Sequence, residues 1–271
     1  LVAQTSPADR VMEILRPEKI EKLGEGRYRV DFGEEISGWV HLHDVTGEAG
    51  QRIDIRYLCE SPNGSNSYTM RGGAPESYHT RFTWYVFREV EIDGWPGELS
   101  PGQITAEAVY TDVSSTGRFE CSNPLFNRIN RIWRRSQTDN MHGCIASDCP
   151  HRERSAYTGD GQVACVTVMH NFDAAAFYSK WIRDIWGAQN VETGYVPNGA
   201  PWQPGCGGGV AWRANGAGGV RESVTGKLSW RCCPGSRNGV CFEGGKVTGA
   251  PGWGFMETDG NVRFFMSGKT T

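Results

Sequence analysis

The segment Ser147-Asp148-Cys149-Pro150-His151-Arg152-Glu153-Arg154-Ser155-Ala156-Tyr157-Thr158-Gly159-Asp160 sets three carboxylates and two guanidinium groups within the thirteen positions from Asp148 to Asp160. By charge alone, a solvated loop is the plainer reading. Two features weigh against it: Pro150 and Gly159 brace the segment, and apolar helical patterns flank it on both sides, so the loop is held against a core. Carboxylates and Arg side chains bind hydroxyl groups and an aromatic face covers the apolar side of a ring, so this composition suits a sugar pocket. Glycoside hydrolysis needs one carboxyl group to protonate the leaving oxygen and a second to act on the opposite face of the sugar. Glu153 is the candidate acid. Its neighbours Arg152 and Arg154 lower its pKa, so burial or the charges of Asp148 and Asp160 must raise it for that role.

The elements that position this loop follow from periodicity. Tyr28, Val30 and Phe32 alternate with polar neighbours, as do Val40 and Leu42, then Ile53, Ile55 and Tyr57, so residues 27–120 read as strands of a β-sandwich. Tyr78 to Ile92 reads as one long strand or a hairpin, ending at the turn Asp93-Gly94-Trp95-Pro96-Gly97. Ser61-Pro62-Asn63-Gly64-Ser65-Asn66-Ser67 reads as a long exposed loop. At Asn123 the period changes to 3.6: Asn123 suits an N-cap and Pro124 the first helical position, and Leu125, Phe126, Ile129, Ile132 and Trp133 form one apolar stripe. Further helices are expected around 161–171 and from about Asp173, with Phe177, Trp181, Ile185 and Ala188 at helical spacing. Strands first and helices second imply two domains meeting near residues 112–122.

Composition bounds the rest. The chain has 271 residues, a net charge of −3 and 38% hydrophobic residues, a balance that suits a packed core and gives no sign of a nucleic-acid binder. No apolar run reaches the roughly 18 to 20 residues of a membrane-spanning helix. Residues 1–20 lack a secretory signal pattern, and the chain opens at Leu1, so it reads as an internal piece of something longer. Nine cysteines form no Cys-x-x-Cys pair, which leaves free and mostly buried thiols as the expectation and supports no zinc or redox motif. His41 and His43 alternate on a strand without a third ligand at suitable spacing, so no metal site is expected. His151 and Trp202 could border the pocket, whereas Trp181 and Trp186 read as packing residues.

Beyond Trp212 the pattern dissolves. Residues 213–271 hold thirteen of the 36 glycines and a single leucine, and carry a charge of +4 against −7 for residues 1–212. Neither a helix nor a strand period is apparent. An irregular Gly-rich tail and an out-of-frame continuation both fit; the abrupt end of a helical series and the enrichment in Trp, Cys, Arg and Gly favour the second. No barrel helix is expected there.

Asp148-Cys149-Pro150-His151-Arg152-Glu153-Arg154, Tyr157-Thr158-Gly159-Asp160, Gly194-Tyr195-Val196-Pro197 and Gly207-Gly208-Gly209-Val210-Ala211-Trp212 closely resemble the bacterial α-L-rhamnosidases of glycoside hydrolase family 78. Phe82-Thr83-Trp84, Phe87-Arg88, Val90-Glu91-Ile92 and Gly94-Trp95-Pro96 are similar to the β-sandwich that precedes the catalytic barrel in that family. The resemblance covers roughly residues 1–212. It implies a multidomain chain, β then α: a β-sandwich over 1–118, the start of an incomplete (α/α)6 barrel over 119–212, and a tail over 213–271. It also implies inverting hydrolysis of terminal α-L-rhamnose from a glycan or glycoside, without a cofactor, by a secreted or periplasmic protein. Glu153 matches the general acid, Asp148, Arg152 and Asp160 match residues that hold rhamnose hydroxyls, Tyr157 falls where the family usually has a Trp, and Trp212 matches an aromatic near the pocket. Many members carry one more residue between the matches of Arg152 and Glu153. The general base of the family lies downstream of everything matched, so the chain as given is expected to be inactive. The alternatives are another inverting (α/α)6 glycosidase and a non-catalytic sugar-binding β-sandwich.

Overall fold

The computed structural model describes residues 3–4, 6–59, 64–189, 191 and 197–201, and the backbone of short strands beyond residue 220. Eight strands come first: β1 (Asp9–Leu15), β2 (Lys19–Gly24), β3 (Arg27–Val45), β4 (Arg52–Leu58), β5 (Ser65–Thr69), β6 (Glu76–His79), β7 (Tyr85–Asp93) and β8 (Ile104–Thr111). They form one antiparallel, curled sheet in the order β1-β8-β3-β7-β4-β5, with β2 and β6 also paired to β3. The 19-residue β3 is the spine. Its first part lies between β2 and β7, Gly38 faces both Tyr85 of β7 and Ala108 of β8, and its last part pairs with β8 and β6. The change of neighbours follows a register shift between Asp31 and Ile36, where Gly33 has φ +82°. Gly38 has no substitute there, since a Cβ would sit 1.8 Å from the Glu107 carbonyl oxygen.

Period-two alternation places Tyr28, Val30, Phe32, Val40, Leu42, Ile53, Ile55, Tyr57, Val90 and Ile92 in one core, as expected from the sequence. Two expectations are corrected. The stretch from Tyr78 to Ile92 is neither one strand nor a hairpin: β6 and β7 each pair with β3, because the chain breaks at residues 80–84, where Phe82 has φ +60°. The segment read as the loop Ser61 to Ser67 contains the start of β5, which pairs with β4 from Arg56↔Ser65 to Arg52↔Thr69. Its serines point outward while Asn66 and Tyr68 are half-buried, a polar alternation that carries no strong hydrophobic signal.

Helix α1 (Pro124–Asp139) begins where the sequence places it, the Asn123 side chain accepting from the Leu125 N–H at 2.9 Å. A hairpin follows, β9 (Met141–His142) with β10 (Ile145–Ala146), turned through Gly143 at φ +60° and Cys144 at φ +58°. Then come α2 (Thr158–Asn171), starting three residues before the expected Gly161, and α3 (Ala175–Ala188). A second core joins Val113, Met141, Cys144, Ala146, Val168, Phe172, Phe177, Tyr178, Trp181 and Ile185. Trp133 packs on it, but the rest of the α1 stripe does not: Leu125, Phe126, Ile129 and Ile132 are 52–59% exposed.

Helix α1 holds to the sheet by its C-terminal turn. Arg135, half-buried, donates to Glu13 of β1 at 2.7 Å and to Glu34 of β3 at 3.3 Å. The Asp139 carboxylate accepts from the Ser37 N–H of β3 at 2.9 Å. Arg134 reaches back to the Asn171 side chain at 2.7 Å and lies 4.6 Å over the Phe172 ring, tying α1 to the end of α2. None of the five described cysteines forms a disulfide, but only Cys144 and Cys165 are buried, fewer than the sequence reading expects. Cys59, Cys121 and Cys149 sit in loops, where a thiol is not drawn into a core.

Beyond residue 220 the backbone forms strand pairs where no strand period is evident in the sequence: β11 (Arg221–Glu222) with β12 (Leu228–Ser229), β13 (Cys241–Glu243) with β14 (Lys246–Thr248), and β15 (Gly252–Thr258) with β16 (Asn261–Ser267). The dipeptides Gly244-Gly245 and Asp259-Gly260 separate the last two pairs. Such dipeptides are strong two-residue hairpin signals even where hydrophobic alternation is poor. No helix occurs there among the described residues.

Candidate active site

The loop between β10 and α2 closes on itself. The Asp148 N–H donates to the Ser155 carbonyl at 3.1 Å, the Ser155 N–H returns a bond to the Asp148 carboxylate at 3.0 Å, and the Arg154 N–H donates to the Cys149 carbonyl at 3.2 Å. Ser147 anchors the entry by donating to the Asn140 carbonyl and side-chain oxygens. The exit is anchored at α2: the Thr158 N–H and hydroxyl both donate to the Asn198 carbonyl, at 2.7 and 3.0 Å, and the Ala200 N–H donates to the Ala156 carbonyl. Trp181 of α3 completes this brace, its indole N–H donating to the Ala200 carbonyl at 2.8 Å. The same ring lies against Gly161 of α2, where a Cβ would come within 1.9 Å of it.

Three of the expected residues gather at this loop. Glu153 is exposed, with its Oε2 3.1 Å from the Cys149 thiol and 3.5 Å from an Arg152 guanidinium nitrogen. The thiol also lies 3.4 Å from Asp148 Oδ2. The hydrogen bond from the Cys149 thiol first, then the contact with Asp148 and the Arg152 charge, hold the Glu153 carboxyl below the ordinary glutamate range. Asp148, expected from its charge to raise this pKa, lowers it in this conformation, and the leading influence is the Cys149 thiol rather than the flanking arginines. Burial pushes the Cys149 thiol up, so it stays a proton donor between the two carboxylates.

Asp148 Oδ, Cys149 Sγ and Glu153 Oε lie within 4.8 Å of one another, a spacing that could hold a cation. In this arrangement their polarity is met by the thiol. His41 and His43 are instead engaged on the sheet, His41 Nδ1 with Glu107 at 2.6 Å and His43 Nε2 with Thr105 at 2.8 Å.

Tyr157 and Asp160 stand at the start of α2, Tyr157 as its N-cap and Asp160 in its first turn. Tyr157 is half-buried and bridges to Gly199, while Asp160 is exposed at the positive end of the helix dipole. Trp212, Trp202 and the Gly194 and Gly207 motifs fall outside the described residues, apart from Pro197.

Sequence reasoning missed the support beneath the loop. Arg154 adopts φ +53°, and its guanidinium carbon lies 3.9 Å from the centre of the Trp84 ring. Trp84 is also stacked with His142, at 3.9 Å and 7°. His142 is itself buried, its Nε2 at 2.9 Å from the Ser37 hydroxyl and 3.1 Å from the Asp139 carbonyl. Burial pushes His142 down to about 4 and the neighbouring Asp139 up to about 7. No local sequence pattern announces contacts between residues so far apart in the chain.

Residues 114–221 match the bacterial alpha-L-rhamnosidase six-hairpin glycosidase domain. An alpha-L-rhamnosidase of Formosa agariphila is 33% identical over 201 residues, covering 68% of this chain, a span too long to lie within the helical half alone. The chain is α-L-rhamnosidase-related through both its sheet and its helices. The solved α-L-rhamnosidase from Dictyoglumus thermophilum superposes with a TM-score of 0.68 at 34% identity, over 72% of this chain and 24% of that one. The Streptomyces avermitilis α-L-rhamnosidase complexed with L-rhamnose gives 0.70 at 29% identity, over 75% and 21%. The chain spans about a fifth of the length of the curated relatives it matches. The domain match ends at residue 221, past the break read at Trp212.

Proposed function

We propose that this chain contributes the acid-bearing part of an inverting glycoside hydrolase that removes terminal α-L-rhamnose. Glu153 is the general acid, Asp148, Arg152 and Asp160 bind the sugar hydroxyls, Tyr157 covers the apolar face of the ring, and Trp212 closes the pocket. The observation that carries the reading is the exposed Glu153 carboxyl on a loop tied down at both ends, inside the segment that matches the rhamnosidase domain. An acid needs a raised pKa at the moment of protonation, and the loop as it stands lowers it. A bound sugar that displaces water and competes for the Cys149 and Arg152 contacts supplies the missing shift. Inversion also requires a second carboxylate about 6.5–9.5 Å away, on the far side of a water molecule. By the resemblance that base comes from barrel helices downstream of the matched residues.

The same reading divides the chain at about residue 118 into a β-sandwich and the first helices of an (α/α)6 barrel, with a separate tail from 213. The exposed apolar stripe of α1 supports it, since barrel helices pack on neighbours along such stripes. The test is a chimera in which residues 1–201 replace the matching segment of the Dictyoglumus relative. It is expected to release rhamnose from an aryl α-L-rhamnoside and not glucose from the α-glucoside. Glu153→Gln in that chimera lowers kcat by about 10²- to 10⁴-fold for poor leaving groups and less for activated ones. Equal losses on both make Glu153 a binding residue and move the acid to Asp148 or Asp160.

A further inference from the structure

We propose that Trp84, in the loop that leads into β7, is a positioning residue for Glu153. Arg154 directly follows Glu153 and is held in the left-handed region, which a residue with a Cβ leaves unless its surroundings keep it there. The Trp84 ring supplies that restraint by receiving the guanidinium over its face at 3.9 Å. Trp84 is fixed in turn by His142 behind it, and His142 by Ser37 of β3 and the Asp139 carbonyl. A chain of contacts therefore runs from the spine of the sheet to the residue beside the acid. Burial is the leading influence on Arg154 and works against its charge, while Tyr85 of β7 and Cys149 and Cys59 in the loops favour it. His142, kept neutral near pH 7, does not repel the guanidinium across the indole.

If Arg154 relaxes to an ordinary backbone conformation, the peptide between Glu153 and Ser155 turns. The Arg154 N–H to Cys149 and Ser155 N–H to Asp148 bonds are then lost together, and Glu153 swings away from Cys149. The effect on catalysis rests on Glu153 being the acid; the effect on the loop does not.

The test uses the 271-residue chain and needs no turnover. In Trp84→Ala, amide hydrogen exchange at Arg154 and Ser155 is expected to accelerate at least tenfold. The Glu153 carboxyl, followed by carbon-13 NMR, should titrate closer to an ordinary glutamate. Trp84→Phe keeps a flat ring and should restore both. Arg154→Gln, which leaves the sheet untouched, should accelerate exchange in the loop without lowering the melting temperature, and should add nothing in the Trp84→Ala background. Unchanged exchange in Arg154→Gln overturns the proposal. So does a Trp84→Phe chain that melts like the parent but exchanges like Trp84→Ala.

Discussion

On α3, Phe177, Trp181 and Ile185 are at most 3% exposed, whereas on α1 Leu125, Phe126, Ile129 and Ile132 are 52–59% exposed, although both series recur at helical spacing. The difference lies in what each helix meets. Helix α3 is backed by α2 through Gly161 and by residues 198–200 through Trp181, so its stripe faces inward. Helix α1 is attached by a polar face, Arg134, Arg135 and Asp139, and turns all of its apolar stripe but Trp133 out. Periodicity marks which face of a helix is apolar; whether that face is covered depends on neighbours far away in the chain.

The largest expected effect is at the covered stripe. Trp181→Ala removes a buried ring and the bond to Ala200, and should cost about 3–5 kcal/mol in denaturant unfolding followed by far-UV circular dichroism. A loss below about 1 kcal/mol would mean that α3 is not seated as described. Next, Gly161→Ala drives a methyl into the Trp181 ring and should cost about 1–3 kcal/mol, a cost that Trp181→Phe in the same chain should partly relieve.

The polar attachment of α1 is sharpened by pH. Asp139, pushed up to about 7, keeps its proton in the folded chain where the unfolded chain has lost it, so its contribution to stability falls as pH rises from about 4 to about 7. His142, pushed down to about 4, runs the other way: the unfolded chain binds the proton first, so stability rises from about pH 4 to about 6.5. The two slopes oppose each other. Asp139→Asn should unmask a stability that rises with pH in that window, and His142→Asn one that falls; parallel profiles for both variants would refute the assignment. The smallest effect belongs to the uncovered stripe: Phe126→Lys with Ile129→Gln should change stability by no more than about 0.5 kcal/mol, while reducing self-association in sedimentation velocity.

The same contrast between local and distant causes explains what the sequence alone could show. The core strands and the start of α1 were legible because Val30, Ile53 and Ile55 alternate locally and because Asn123-Pro124 is a cap in itself. The composition of the loop from Ser147 to Tyr157 was equally visible. The separation of β6 from β7 was not, since it depends on Phe82 taking a positive φ that aromatic residues rarely adopt. The hairpin at Gly143-Cys144 was hidden for the same reason, with Cys144 at φ +58°. Trp84 beneath Arg154 and Ser37 against Asp139 are contacts across 70 and 102 positions, which no window of neighbouring residues can reveal.

The long strand at the centre of the sheet has a consequence for how the chain is made. Between Gly38 and Leu42, one edge of β3 is satisfied only by β8, whose residues follow 62 to 70 positions later. At about 5–20 residues per second the ribosome takes roughly 3 to 14 seconds to deliver them. Throughout that interval a nascent chain presents an apolar strand with free backbone donors and acceptors, the kind of edge that recruits foreign strands. The edge is therefore exposed to such pairing before any helix of the second half has been synthesised.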